Sequence, residues 1–165
     1  MKNIHILPTD KPSRIRIGDN GNFVIGLTQN SIRSRNDSFT NQHIYITSNE
    51  EIKVGDWVIE FQKNDNIGEV HFINGEYVIA RDIQKKIILT TDQDLIKDGV
   101  QAIDDTFLEW FIKNPKSENV YVYKEYKQIN QNNPATRGST ALVFSHYEVQ
   151  SLDLSVPIKT NEKQI

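Results

Sequence analysis

The chain contains no cysteine and a single methionine, and its 165 residues include no long apolar run. Without cysteine there is no disulfide framework, no thiolate metal site and no cysteine nucleophile. Nothing approaches the roughly 18 consecutive apolar residues that a membrane-crossing helix needs. The opening MKNIHILPTDKPSR holds no apolar stretch of signal-peptide length. The expectation is therefore an intracellular protein with no membrane association. Glycine is scarce at eight residues, and neither a dinucleotide fingerprint nor a P-loop pattern occurs. The four histidines, His5, His43, His71 and His146, are scattered, with no two at a short metal-ligand spacing. No catalytic residue, metal or cofactor is expected.

What is present is polar. The hydrophobic share is 37% and the mean hydropathy is -0.55, so a modest core with long polar loops is expected. The net charge of -3 is unevenly spread, with balances of +3 over residues 1–48, -7 over 49–115 and +1 over 116–165. An acidic middle argues against a surface that tracks phosphates all round and suits a basic partner.

Strand-like alternation dominates. Lys2–Leu7, Arg14–Ile17 and Asn22–Ile25 read as short strands, the last two joined at Asp19-Asn20-Gly21. Residues 26–42 read as a long polar loop. His43–Thr47, a strand after the Gly55-Asp56 turn, Ile67–Ile73, Glu76–Ala80 and Lys86–Thr91 follow at short spacing, with Asn74-Gly75 predicting a hairpin. Val120–Tyr126 and Thr140–Tyr147 read as later strands around a polar loop at Gln128–Gly138. Asp92 is placed to cap a helical turn over Gln93–Lys97 closed by Gly99. Asp104 is placed to cap a helix over Asp105–Lys113 that ends at Asn114-Pro115. The expected fold is α+β: a curled, mainly antiparallel sheet or small β-barrel with one packed helix at 105–113. A single domain over 1–155 with a frayed tail at 156–165 is expected.

Candidate chemistry is thin. Ser145-His146 are neighbours on a strand, where successive side chains point to opposite faces, so they make a poor nucleophile–base pair. Asp92 and Asp94 have the look of a metal-holding acidic pair, and a metal-dependent enzyme using them is one alternative; a helix cap followed by a first-turn acid explains the same residues. Arg14 and Arg16, two apart on one strand, would share a face, and with Arg33 and Arg35 they form the candidate RNA- or single-stranded-DNA-binding set. The aromatic group Phe107, Trp110, Phe111, Tyr121, Tyr123 and Tyr126 is expected to pack mostly on the sheet. Trp110 is the candidate anchor for a protein partner, with Asp104 and Asp105 in the same candidate set.

The segment KKIILTTDQDLIKDGVQAIDDTFLEWFIKNP (85–115) resembles a group of uncharacterised small proteins of Bacteroidetes phages and prophages, as do IHILPTDKPSR (4–14) and IYITSNEEIKVGDW (44–57). The resemblance implies a phage or mobile-element origin and carries no activity with it. Val54-Gly55-Asp56-Trp57-Val58 resembles the strand entry of SH3-like and PUA/ASCH-like barrels, which implies a barrel and, more weakly, RNA binding. Together these give the expectation of a non-enzymatic phage accessory protein. It would bind a host protein or ribonucleoprotein in the bacterial cytoplasm, such as an RNA-guided defence nuclease, and inhibit it. The alternative is a nucleic-acid-binding barrel module.

Overall fold

The computed structural model describes residues 2–26, 39–62, 65–76, 82–130 and 140–151. Its elements are β1 (Ile4–Pro8), β2 (Ile15–Ile17), β3 (Phe23–Ile25), β4 (Thr40–Ser48), β5 (Trp57–Gln62), β6 (Asp65–Phe72), β7 (Gln84–Thr90), α1 (Gln93–Lys97), β8 (Gln101–Ala102), α2 (Asp105–Lys113), β9 (Val120–Asn130) and β10 (Thr140–Ser151). Eight strands form one sheet in the order β3-β2-β4-β7-β5-β6, with β1 added on β4 and β8 on β7. All pairings are antiparallel except β7 with β8. The sheet is open, so the fold is the curled α+β sheet and not a closed barrel. Strands β9 and β10 form a separate two-stranded ribbon.

Strand β4 is the hub. Gln42 lies opposite both Pro8 and Ile15, and Tyr45 lies opposite both His5 and Thr90, so partners flank β4 on either side. It is also buried on both faces. Ile44 and Ile46 point into the larger core cluster, and Tyr45 points into a second one with Ile59, Ile87 and Leu95. Period-two alternation sorts the side chains between these layers.

The larger core is closed by α2, whose Phe107, Leu108 and Phe111 are buried against Ile15, Ile44, Ile88 and Leu89. Each such side chain contributes about 1.5–3 kcal/mol on leaving water. The helix ends are set locally. Asp104 accepts from Thr106 N at 2.8 Å, and Asn114 N returns to Phe111 O at 2.9 Å. Asp92 caps α1 by accepting from Asp94 N at 3.0 Å. Gly99, at φ 103°, takes the left-handed turn that lets Val100 N bond back to Leu95 O.

Several boundaries differ from the sequence reading. Strand β4 begins at Thr40, inside the expected loop 26–42, because Ile17 and Arg16 supply partners for Thr40 and Asn41. Strand β9 runs on to Asn130 and β10 to Ser151, each extended by the other. The strand before Asn74-Gly75 pairs with β5; Glu76 lies in the turn, and 77–80, expected as its hairpin partner, lie outside the described residues. Most of the expected loop, with Arg33 and Arg35, and the tail 156–165 also lie outside them. No helix among the described residues is long and apolar enough to cross a membrane.

Candidate functional site

The ribbon carries the most unusual surface. Among the described residues, six of the eight exposed large apolar side chains belong to it: Tyr121, Tyr123, Tyr126, Leu142, Val143 and Phe144, each 42–66% exposed. Its base is part of the core, since Val120 and Val149 are buried and Val122 and Tyr147 pack beside them. Beyond that base, the large apolar side chains of the outer half are exposed among the described residues.

Register explains what each face presents. Val122 lies opposite Val149, Lys124 opposite Tyr147 and Tyr126 opposite Phe144, so these share one face. On that face Phe144 meets Tyr147 edge-on at 4.9 Å and Tyr126 at 6.2 Å between ring centres, and the Lys124 ammonium lies 5.9 Å from its centroid. The other face presents Tyr121 and Tyr123, 6.0 Å apart, then Glu125 opposite His146 and Tyr123 opposite Glu148.

A β-bulge between Phe144 and His146 leaves Ser145 without a partner residue across the ribbon. This corrects the expectation for Ser145-His146: the bulge breaks the alternation, and Ser145 Oγ comes to 3.1 Å from His146 Nδ1. His146 Nε2 in turn lies 2.7 Å from Glu148 Oε1 and 2.6 Å from Glu125 Oε2. The order Ser–His–Glu has the outline of a nucleophile relay. It lacks the key step, because the Ser145 hydroxyl proton is already donated to Glu125 O at 2.7 Å.

The ribbon is fastened to the body by side chains. Asn3 binds the main chain of Val120 and Gln101 that of Tyr147. Glu50, in the turn after β4, accepts from the Tyr147 hydroxyl at 2.5 Å and pairs with Lys124. Burial pushes the Glu50 carboxyl upward, but the hydrogen bonds from Lys124, Tyr147 and Ser48 outweigh it and hold it below the ordinary range. Burial, then Glu50, raises the Tyr147 phenol.

The residues singled out from sequence are elsewhere. Trp110 is half-buried against the larger core, 5.6 Å from Phe107, so it does not stand out as an exposed anchor. Asp104 is the helix cap, and Asp105 accepts from Arg14 Nη1 at 2.6 Å. Arg14 and Arg16 do not form the expected exposed basic face. Arg14 precedes β2 and is tied to Gly26 O and Asp105, and Arg16 is 7% exposed with its Nε donating to Ser13 O.

Nor do Asp92 and Asp94 converge. Asp94 pairs outward with Lys11. Asp92 turns inward to accept from Tyr45 Oη at 2.8 Å, with His43 Nδ1 at 3.5 Å. Burial works against ionisation of Asp92, yet His43, Tyr45 and the Asp94 amide bring its carboxyl down to about 2. His43, Tyr45 and Asp92 are all buried.

A hollow of about 730 Å³ is lined by Glu50, Glu51, Phe61, Asp82, Lys85 and Lys86. Its cations are engaged: Lys85 Nζ donates to Lys2 O, and Lys86 pairs with Asp56.

Sequence reasoning noted Tyr121, Tyr123 and Tyr126 but assigned them mainly to the core, and it passed over Phe144 and Leu142. The available signal was the run YVYKEYK (121–127), in which charges fall on both faces of the strand, so neither face can be wholly buried. His146-x-Glu148 was a second signal, two ligating side chains on one strand face. No protein-family model, no curated protein and no solved structure matches the chain.

Proposed function

We propose that the chain is a non-enzymatic binding protein that holds another protein through the outer half of the β9–β10 ribbon. The observation that carries this reading is the concentration of exposed aromatic and aliphatic side chains there. Tyrosine and phenylalanine are enriched at protein interfaces, and tyrosine is among the residues that carry most of the binding energy there. The ribbon also has sheet edges to offer, since β9 and β10 pair with no other strand among the described residues. A partner strand can add to such an edge, main chain to main chain.

Charge favours a protein over a nucleic acid. Strands β9 and β10 carry Lys124 and Lys127 against Glu125 and Glu148, with no cationic excess to meet phosphates. Arg14 and Arg16, the basis of the nucleic-acid alternative, are occupied within the fold. Joined with the phage-protein resemblance of 85–115, this reading places the partner in a bacterial host. A component of an RNA-guided defence system is the instance we put forward, with inhibition as the outcome.

The test compares the wild-type chain with Tyr126→Ser/Phe144→Ser as bait in nuclease-treated bacterial lysate, with Val54→Ser as a control at an exposed apolar site away from the ribbon. The expected result is a discrete protein captured by wild type and by the control, and lost from the ribbon variant while its melting temperature is unchanged. Capture that requires intact RNA or DNA, or that survives the ribbon substitutions, overturns the reading.

A further inference from the structure

On the tyrosine face of the ribbon, Glu125, His146 and Glu148 bring one ligating atom each to within 4.8 Å of one another. The strands position them: Glu125 is directly across from His146, and Glu148 is two residues along the same strand. Glu148 has a side chain only 10% exposed, while that of Glu125 is 48% exposed and free to adjust.

A serine hydroxyl has one hydrogen, and that of Ser145 goes to the Glu125 carbonyl. Facing His146 Nδ1 at 3.1 Å, Ser145 Oγ then has a lone pair to offer, which suits an N–H at Nδ1 and leaves Nε2 for a ligand. On the other side of the ring, His146 Nε2 is aimed at two carboxylates 2.6 and 2.7 Å away. Two carboxylates converging on one ring nitrogen call for positive charge at that point. A proton on Nε2 is one remedy, but a single N–H must then be divided between two acceptors, one of them buried. A divalent ion is the other: it takes the nitrogen lone pair and one oxygen from each glutamate, and it cancels both negative charges.

We propose that Glu125, His146 and Glu148 form a binding site for a divalent transition-metal ion, with Ser145 as the outer group that orients the imidazole. One nitrogen and two oxygens match zinc and its first-row neighbours, whereas calcium and magnesium take oxygen alone. Bond lengths of about 2.0–2.2 Å place tetrahedral ligands about 3.4 Å apart, so each glutamate oxygen would move about 0.7 Å away from Nε2 to admit the ion. Three protein ligands leave one position open to water or to a group from another molecule. The proposal does not rest on the partner reading, and it is tested on the isolated protein.

The experiment titrates the metal-free full chain with Zn²⁺ by calorimetry and follows backbone amide shifts by NMR. One equivalent is expected to bind, with shifts concentrated at residues 123–127 and 144–149. His146→Gln and Glu125→Gln should each weaken binding at least tenfold, and Ser145→Ala should weaken it about tenfold while leaving every ligand in place. His71, which lies 3.3 Å from both Glu60 and Glu69, is the control: His71→Gln should change nothing. Glu125 is exposed at the ribbon surface, so its variant tests the site even if His146→Gln disturbs the bulge. No saturable uptake, or uptake lost with His71→Gln and retained with His146→Gln, overturns the proposal.

Discussion

The side-chain amide of Gln101 grips the main chain of Tyr147 through both its donor and its acceptor: Nε2 donates to Tyr147 O at 3.0 Å, and Oε1 accepts from Tyr147 N at 2.7 Å. Asn3 does the same on the other strand, with 2.7 Å to Val120 O and 2.8 Å from Val120 N. Each amide stands in for one residue of a neighbouring strand. A two-stranded ribbon alone is at best marginally stable in water, so these clamps and the buried valines at its base are what tie it to the body.

Gln101→Ala should therefore loosen the ribbon and leave the helix-covered core intact. The expected cost is about 1–2 kcal/mol, set by the unsatisfied groups of Tyr147 more than by the lost bonds. Hydrogen exchange is the measurement: the Tyr147 amide should lose protection, and the amides of β4 should keep theirs. Protection of Tyr147 unchanged by the substitution would mean that burial of Val120 and Val149 holds the ribbon unaided.

Acid should destabilise the protein in two successive windows. Burial, reinforced by Lys85 and Lys2, lowers His5 from 6.5 to about 4. The unfolded chain thus binds this proton more readily than the folded one. The stability that depends on neutral His5 is complete above pH 6.5 and drains away as pH falls toward 4, by up to about 3 kcal/mol. Asp92, lowered from 3.8 to about 2, adds a second loss as pH falls through that lower interval. Urea unfolding at pH 7, 5.5 and 4 should show the first decline, and His5→Gln should flatten it. An equal decline in the variant would assign it to other groups.

Trp110 and Phe111 are adjacent on α2, and the structure gives them different weights. Phe111 is fully buried and meets Phe23 edge-on at 5.4 Å. Phe111→Ala should cost about 3–5 kcal/mol, while Trp110→Ala, from a half-buried site, should cost less. Neither change should alter partner capture at matched folded concentration. Loss of capture in a well-folded Trp110→Ala protein would return the binding surface to the helix.

What the sequence made legible was local. The caps Asp92 and Asp104, the glycine at 99 and the Asn114-Pro115 stop act within one turn, and both helices lie where those residues put them. What stayed hidden depends on pairing. Gln128 is in a strand because Leu142 faces it, against its own weak preference. Arg16 is buried on a strand that lies between β3 and β4, which no count of charges along β2 reveals. Glu125 and His146 are far apart in the chain and meet only through a register that a single residue alters.

That residue is Ser145. Counting by twos along β10 from Val149 through Tyr147 reaches Ser145, and a steady beat would go on to Val143, sending Phe144 and Leu142 to the side of His146 and Glu148. The ribbon skips a beat instead, so Phe144 falls opposite Tyr126 and Leu142 opposite Gln128. Phe144 and Leu142 are thereby lined up with Tyr147 and Tyr126, while the imidazole and carboxylates lie on the reverse side with Tyr121, Tyr123 and Val143. Straightening the bulge so that Ser145 took a partner of its own would shuffle the two sets together, leaving a plank of unchanged composition with neither a clean adhesive stripe nor a separate ligand cluster.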